Sequence, residues 1–211
     1  EGDFPAHFMY IRKSFGNAVL ISSPKSESRR ILFSNQRDTI EDEQKCLNDL
    51  IDLLTAHVNE NYDKVQTFLK RTLKQILLKS HGCILTITRV PTEATPKKLG
   101  DSVTIDPKLD IARSVQAFSG HEDQTTLSNL QSIPSLMKGM MESDGVVCFS
   151  PDAKLLSYRG FARSRKGKGS QAGAVGGARR RAFEALCEDV GDELSGVFMQ
   201  SSDGTMQIRT K

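Results

Sequence analysis

The hydrophobic positions of this chain change period several times, and each change marks an element. Leu47, Leu50, Ile51, Leu54 and Val58 keep three-and-four spacing behind Asp38 and Thr39, which predicts a capped helix running to about Val58. A second stripe, Val65, Phe68, Leu69, Leu73, Ile76 and Leu77, predicts a helix from about Tyr62 to Lys79 with Gly82 at its exit. Such stripes are what any packed helix shows, so both read as core. The period then shortens. Residues 83–88 and 146–149 are short β-rich apolar runs of the kind buried in a sheet.

Other segments are read from the same pattern. Residues 100–105 predict a short edge strand, 110–118 a helix, 119–128 a polar loop, and about 132–141 a third helix weakened by Gly139. Ser150-Pro151-Asp152-Ala153 turns the chain, so that Leu155, Leu156 and Tyr158 return as the hairpin partner of 146–149. A loop at 160–177, rich in glycine and in cations, precedes a helix at about 178–190. The chain closes as a hairpin, 196–199 with 206–208, turning at Asp203-Gly204. At the other end, 7–23 is extended with a turn at Gly16-Asn17. Residues 24–30 are a polar turn, and Ile31-Leu32-Phe33 is a second strand. That hairpin must pair with, or pack on, something larger. Interleaved strands and helices predict an α/β fold. Its mixed β-sheet is flanked by helices, because hairpins impose antiparallel pairs and helix crossovers parallel ones. The expected organisation is an N-terminal hairpin extension over 1–36 and a main domain over 37–211.

Composition narrows this little. With 211 residues, 37% hydrophobic and 26% charged, the chain suits one globular domain with an appendage. A net charge of +3 is too small to diagnose a nucleic-acid binder. Its distribution says more: Arg159, Arg163, Arg165, Lys166, Lys168, Arg179, Arg180 and Arg181 follow one another with no acid among them. Such a stretch faces an anion or is a mobile loop. No apolar run reaches the ~18 residues of a membrane span, and no secretory signal opens the chain, so a cytoplasmic protein is expected. Glu1 in first place suggests a piece of a longer protein. Cys46, Cys83, Cys148 and Cys187 are scattered and read as buried reduced thiols. His81, beside Gly82, reads as a helix-end cation.

The chemistry concentrates late in the chain. Asp144-Gly145-Val146 heads an apolar strand, where an acid can hold a divalent metal and a glycine admits close backbone approach. Gly177-Ala178-Arg179-Arg180-Arg181-Ala182 opens a helix, whose N-terminus is itself an anion site. Ser201-Ser202-Asp203-Gly204 joins the last two strands. Brought together, these would make a metal–nucleotide site. Blander roles compete with that one. Asp144 also suits a turn cap, and the arginines suit a solvated helix start paired with Glu184, Glu188 and Asp189. The basic loop also suits a tether or an RNA contact, and no aromatic interleaves its charges. Phe161 either stacks on a base or packs under the hairpin.

Taken in order, these motifs resemble the diadenylate cyclase domain over roughly residues 60–211. They run as an apolar strand after a helix-ending Gly, Gly100-x-x-Val103-x-Ile105-Asp106, Asp144-Gly145-Val146, a hairpin, Gly177-x-Arg179-x-Arg181-Ala182 and a final Gly-turned hairpin. In that family two ATP-loaded domains face each other and make cyclic di-AMP. The resemblance implies a catalytic and metal-holding role for Asp144, with Mg²⁺ or Mn²⁺ as cofactor. It implies nucleotide contacts from Gly145, Val146, Phe161, Gly177, Arg179, Arg180, Arg181, Ser201, Ser202 and Asp203, and face-to-face self-association. The chain departs from the family in the last turn, where an acidic pair reduces to Ser202-Asp203, and at four further positions. Ser143 and Arg180 stand where the family has His, Ala178 where it has Thr, and Gln200 where it has a phosphate-contacting Ser. Each of the last two exchanges removes a hydroxyl donor. The expectation is therefore binding of ATP or a cyclic dinucleotide by a sensor or regulatory module. The alternatives are an active, divergent diadenylate cyclase, and an RNA- or partner-binding domain that uses the basic loop.

Overall fold

In the computed structural model, which describes residues 10–13, 18–23, 26–32, 39–121, 123–162 and 177–211, the chain forms two sheets and five helices among those residues. The first three strands are β1 (Tyr10–Lys13), β2 (Ala18–Ser23) and β3 (Ser26–Leu32), paired antiparallel as a sheet of their own. Helices α1 (Thr39–Thr55) and α2 (Tyr62–Lys79) follow. Then come β4 (Cys83–Thr88), β5 (Leu99–Gly100), β6 (Val103–Asp110), α3 (Ile111–Gly120) and α4 (Gln124–Glu142). The rest is β7 (Val146–Ser150), β8 (Lys154–Ala162), α5 (Ala178–Cys187), β9 (Leu194–Gln200) and β10 (Met206–Thr210).

The second sheet is mixed and open, in the order β10-β9-β4-β7-β8-β5, with β6 also paired to β8. Only β4 and β7 run parallel, since α3 and α4 lie on the crossover between them. Both are buried along their whole length, because the sheet is covered on both faces. Alternation sorts their side chains. Leu85, Ile87, Val147 and Phe149 join the core built with α1, α2, α3 and α4, while Ile84, Val146 and Cys148 join Phe183 and Leu186 of α5. Four helices thus cover one face, and α5 covers the other.

The helical stripes read from sequence are core: Leu47, Leu50, Ile51 and Leu54 of α1 are buried, as are Val65, Leu69, Leu73, Ile76 and Leu77 of α2. Several boundaries differ. β3 occupies most of the polar segment assigned to a turn, because cross-strand backbone pairing does not require an apolar run. The turn residues Gly16 and Asn17, and Phe33, lie outside the described residues. α1 stops at Thr55, whose hydroxyl bonds the Ile51 carbonyl at 2.8 Å, although Val58 beyond it is still buried. The edge strand assigned to 100–105 is two strands, and β6 continues past Pro107 through a register shift between Thr104 and Leu109. A bulge tolerates the missing N–H that argues against a strand.

The largest difference is α4, which begins at Gln124 instead of about Ser132. Its first turns are mostly exposed and polar, so no apolar stripe marks them, and Pro134 lies inside the helix. The Asp123 side chain accepts the Thr126 N–H at 2.7 Å and starts the helix. Its carboxyl is held below the usual range chiefly by that bond. Asp110 caps α3 in the same way, accepting the Arg113 N–H at 2.8 Å. Asp110→Ala is expected to cost about 1 kcal/mol, read as a lower urea midpoint at unchanged slope. Helix α5 ends at Cys187, three residues short of the reading.

Candidate functional site

Helix α5 organises the site, because its first turn projects between two clefts. One cleft, of about 670 Å³, opens where several element ends meet: the exit of α2 (Lys79 to Gly82), Asp144 and Gly145 ahead of β7, the end of β8 at Phe161, and Arg179 of α5. It lies at the amino ends of the parallel pair β4–β7, so the usual carboxyl-edge rule for parallel sheets does not place it. Its floor is apolar, with Ile84, Val146, Ala162 and Ala182 drawn from the core under α5. Phe161 stands 54% exposed on its wall, so it does not pack under the hairpin.

Gly145 lets the strands close around this cleft. Its φ is +114°, and a Cβ there would lie 2.8 Å from the Arg159 Cα and carbonyl carbon. Arg159 itself has φ 57°, within a register shift of the β7–β8 pair that turns the end of β8 toward the cleft. Asp144, just before, is exposed on the rim. Ser143 ends α4, its hydroxyl donating to the Met140 carbonyl at 2.6 Å.

The second cleft, of about 580 Å³, lies on the other side of the helix start. Gly177, Ala178, Arg179 and Arg180 face Ser201, Ser202, Asp203 and Thr205 of the β9–β10 turn across it. Gly177 is the N-cap and brings no side chain to the first turn, so the amide end of the helix carries no side-chain cap. The turn is tightly tied. The Ser201 hydroxyl donates to the Asp203 carboxylate, the Thr205 N–H donates to it at 3.1 Å, and Gly204 supplies φ +92°. These bonds hold the Asp203 carboxyl below its ordinary range, the Ser201 hydroxyl first. Ser201 and Asp203 therefore shape the cleft, and Ser202 is exposed there.

The three arginines are not equivalent. Arg179 lines both clefts, and its Nη1 donates to the His81 carbonyl at 3.1 Å. It crosses directly over Gly82, where a Cβ would sit 2.5 Å from that nitrogen. Arg180 lines the second cleft and is joined through Nε to Glu184 at 3.0 Å. Arg181 is exposed and lines neither. Glu188 and Asp189, read as possible partners of the arginines, pair with Lys98.

The structure thus brings Asp144, Gly145, Val146, Phe161 and Arg179 to one cleft, and Gly177, Arg179, Arg180, Ser201, Ser202 and Asp203 to the other. Lys79, His81, Gly82 and Glu142 also line the first cleft. The sequence assigned none of them to the site. His81 and Gly82 carried a helix-end signal, and only the fold turns that end toward Asp144. Gln200, at the family's serine position, lines neither cleft. It is buried and donates to the Leu77 carbonyl at 3.1 Å. Cys83 borders the first cleft, but burial pushes its thiol up to about 12, as it does for Cys148, so neither is a thiolate nucleophile. None of the four cysteines is disulfide-bonded, and Cys46 and Cys187 are half-buried. The basic residues between 163 and 176 lie outside the described residues.

Among the described residues no three His, Cys, Asp or Glu side chains cluster as a metal site. The carboxylates on the first cleft are Asp144 and Glu142, and Glu142 also pairs with Lys138 at 3.6 Å. That donor set is too small for a cage but suits a hard cation that keeps most of its water and shares phosphate oxygens. No helix of the described residues is long and apolar enough to cross a membrane. No protein-family model matches the chain, and no curated protein matches it.

Proposed function

We propose that this domain binds an adenine nucleotide or cyclic dinucleotide and serves as a sensor or regulatory module. The observation that carries this reading is the convergence of Asp144, Gly145, Phe161 and Arg179 on one apolar-floored cleft. An exposed aromatic ring beside an apolar floor suits a purine face. Lys79 and Arg179 give the same cleft cationic groups, and Asp144 and Glu142 give it acidic ones. Phosphate belongs with the cations and with the start of α5. Mg²⁺ or Mn²⁺ arriving with the nucleotide would be held by Asp144, and when bound it would neutralise phosphate charge.

Binding is favoured over synthesis for a physical reason. Joining two ATP molecules needs donors aimed at charge that develops only in the transition state, and losing one such donor costs about 10²–10³-fold in rate. The family's hydroxyls are absent at Ala178 and Gln200, and the Ser143 hydroxyl is committed to Met140. A lost neutral hydrogen bond costs ground-state binding only about 0.5–1.5 kcal/mol. Synthesis would also need a second protomer face to face, which ligand binding does not.

Calorimetry with ATP, cyclic di-AMP and GTP, with Mn²⁺ present, tests the reading. The expected result is adenine-selective binding with little or no cyclic di-AMP formed. Robust turnover abolished by Asp144→Asn would make the protein a cyclase. Absence of any nucleotide response would reject both readings, and steep salt-dependent RNA binding in that case would assign the basic loop instead.

A further inference from the structure

Helix α1 meets the β9–β10 turn at an unmatched carboxyl. The Cys46 thiol donates to the Met206 carbonyl at 3.9 Å, which sets α1 beside the first residue of β10. Glu43, nearly one helical turn earlier, is therefore level with the turn that lines the second cleft. It is only 4% exposed, and its Oε2 has no hydrogen-bond partner among the described residues. A buried acid without a partner is costly when ionised, so its protonation state must be linked to how it is seated.

We propose that Glu43 is a proton-operated latch between α1 and the second cleft, seated beside the Ser201–Asp203 turn when protonated and opposing phosphate there when ionised. The regulatory half rests on the nucleotide reading above. The two carboxyls of this corner stand in unlike surroundings. Asp203 is stabilised as the anion by the Ser201 hydroxyl and the Thr205 N–H. Glu43 has no such donors, and burial, followed by the Asp203 charge, raises its pKa to about 7. Other charges lie on the elements packed against α1, namely Asp63, Lys64, Lys70, Arg71, Lys74 and Lys79 of α2 and Arg209 of β10. Asp203 is the one that shifts Glu43.

The sign follows from the raised pKa. Between the unfolded value of 4.5 and about 7 the folded protein holds a proton that the unfolded chain has released, so stability falls as pH rises through that window. Above it Glu43 is a buried anion beside an anion-binding cleft. Phosphate affinity should fall over the upper part of the same range, near the folded pKa.

The test compares the wild-type protein with Glu43→Gln from pH 5 to 8, by thermal unfolding and by ATP titration. Protonation of ATP itself is common to both proteins and cancels. The wild type should lose roughly 5–10 °C of unfolding temperature relative to the variant across that range. Its ATP affinity should fall about three- to tenfold further than that of the variant between pH 6 and 8. Parallel unfolding profiles would overturn the latch itself. Diverging unfolding profiles with parallel affinities would overturn its coupling to the cleft. Failure of both proteins to bind ATP at any pH would defeat the nucleotide reading and the regulatory half with it, while the unfolding profiles still decide whether Glu43 holds the proton.

Discussion

Replacing Arg179 with alanine is expected to weaken ATP binding by about 10- to 100-fold, the largest loss of any single arginine. Arg179 alone of the three lines both clefts, and its guanidinium is already placed by the His81 carbonyl over the open side of Gly82. A pre-placed cation gives up little rotamer freedom on binding. One hydrogen bond to a charged partner contributes about 1.5–3 kcal/mol, and each 1.4 kcal/mol is tenfold in affinity. Arg180→Ala should cost less, about three- to tenfold, because Glu184 already holds part of its fork. Arg181→Ala should stay within about twofold, because Arg181 lines neither cleft and reaches a ligand there only through a screened charge. The Arg179→Ala/Arg181→Ala pair should then bind at most about twofold more weakly than Arg179→Ala alone. Calorimetry on the four variants checks the ranking. A larger loss from Arg181→Ala than from Arg179→Ala would show that the ligand does not sit between the clefts.

Gly145→Ala is expected to be strongly destabilising. Alanine at φ +114° adds about 1–2 kcal/mol of backbone strain. The added methyl also meets Arg159 backbone at 2.8 Å and the Gly160 carbonyl oxygen at 2.9 Å, neither of which can swing aside like a side-chain tip. Overpacking of that kind adds about 1–3 kcal/mol. A total near 3 kcal/mol lowers the unfolding temperature by about 6–12 °C for a chain of this size. Calorimetric melting reads this directly, and a melting point within about 2 °C of wild type would mean that β7 and β8 are not held together at Gly145. Gly82→Ala offers a contrast, because part of its clash is with the movable Arg179 side chain and part with the fixed Gln200 carbonyl oxygen at 2.6 Å.

Much of the fold was legible because burial on a regular element leaves a period in the sequence. The stripes of α1 and α2, and the runs of β4 and β7, needed no tertiary information to be recognised as core. Elements built mainly from backbone bonds were not legible. β3 is polar along most of its length, and the first turns of α4 bury little, so neither has an apolar signature. In α4 the one local signal is the Asp123 cap, directly ahead of the polar first turns.

At the candidate site the sequence by itself determined the chemistry: an acid before a glycine at a strand head, arginines opening a helix, and a Ser-Ser-Asp-Gly turn. Those are local properties, set by residue type and by the φ that each glycine permits. The tertiary structure decided which of them share a space. It divided the site into two clefts, made Arg179 the one arginine common to both, and left Arg181 outside them. It turned Gln200 into the core and set Glu43, a helix residue with no motif around it, beside the last turn. The physical reason is that neighbourhood across a sheet depends on strand order and register. In this sheet β4 lies between β9 and β7, strands that follow it only after long intervening stretches of chain.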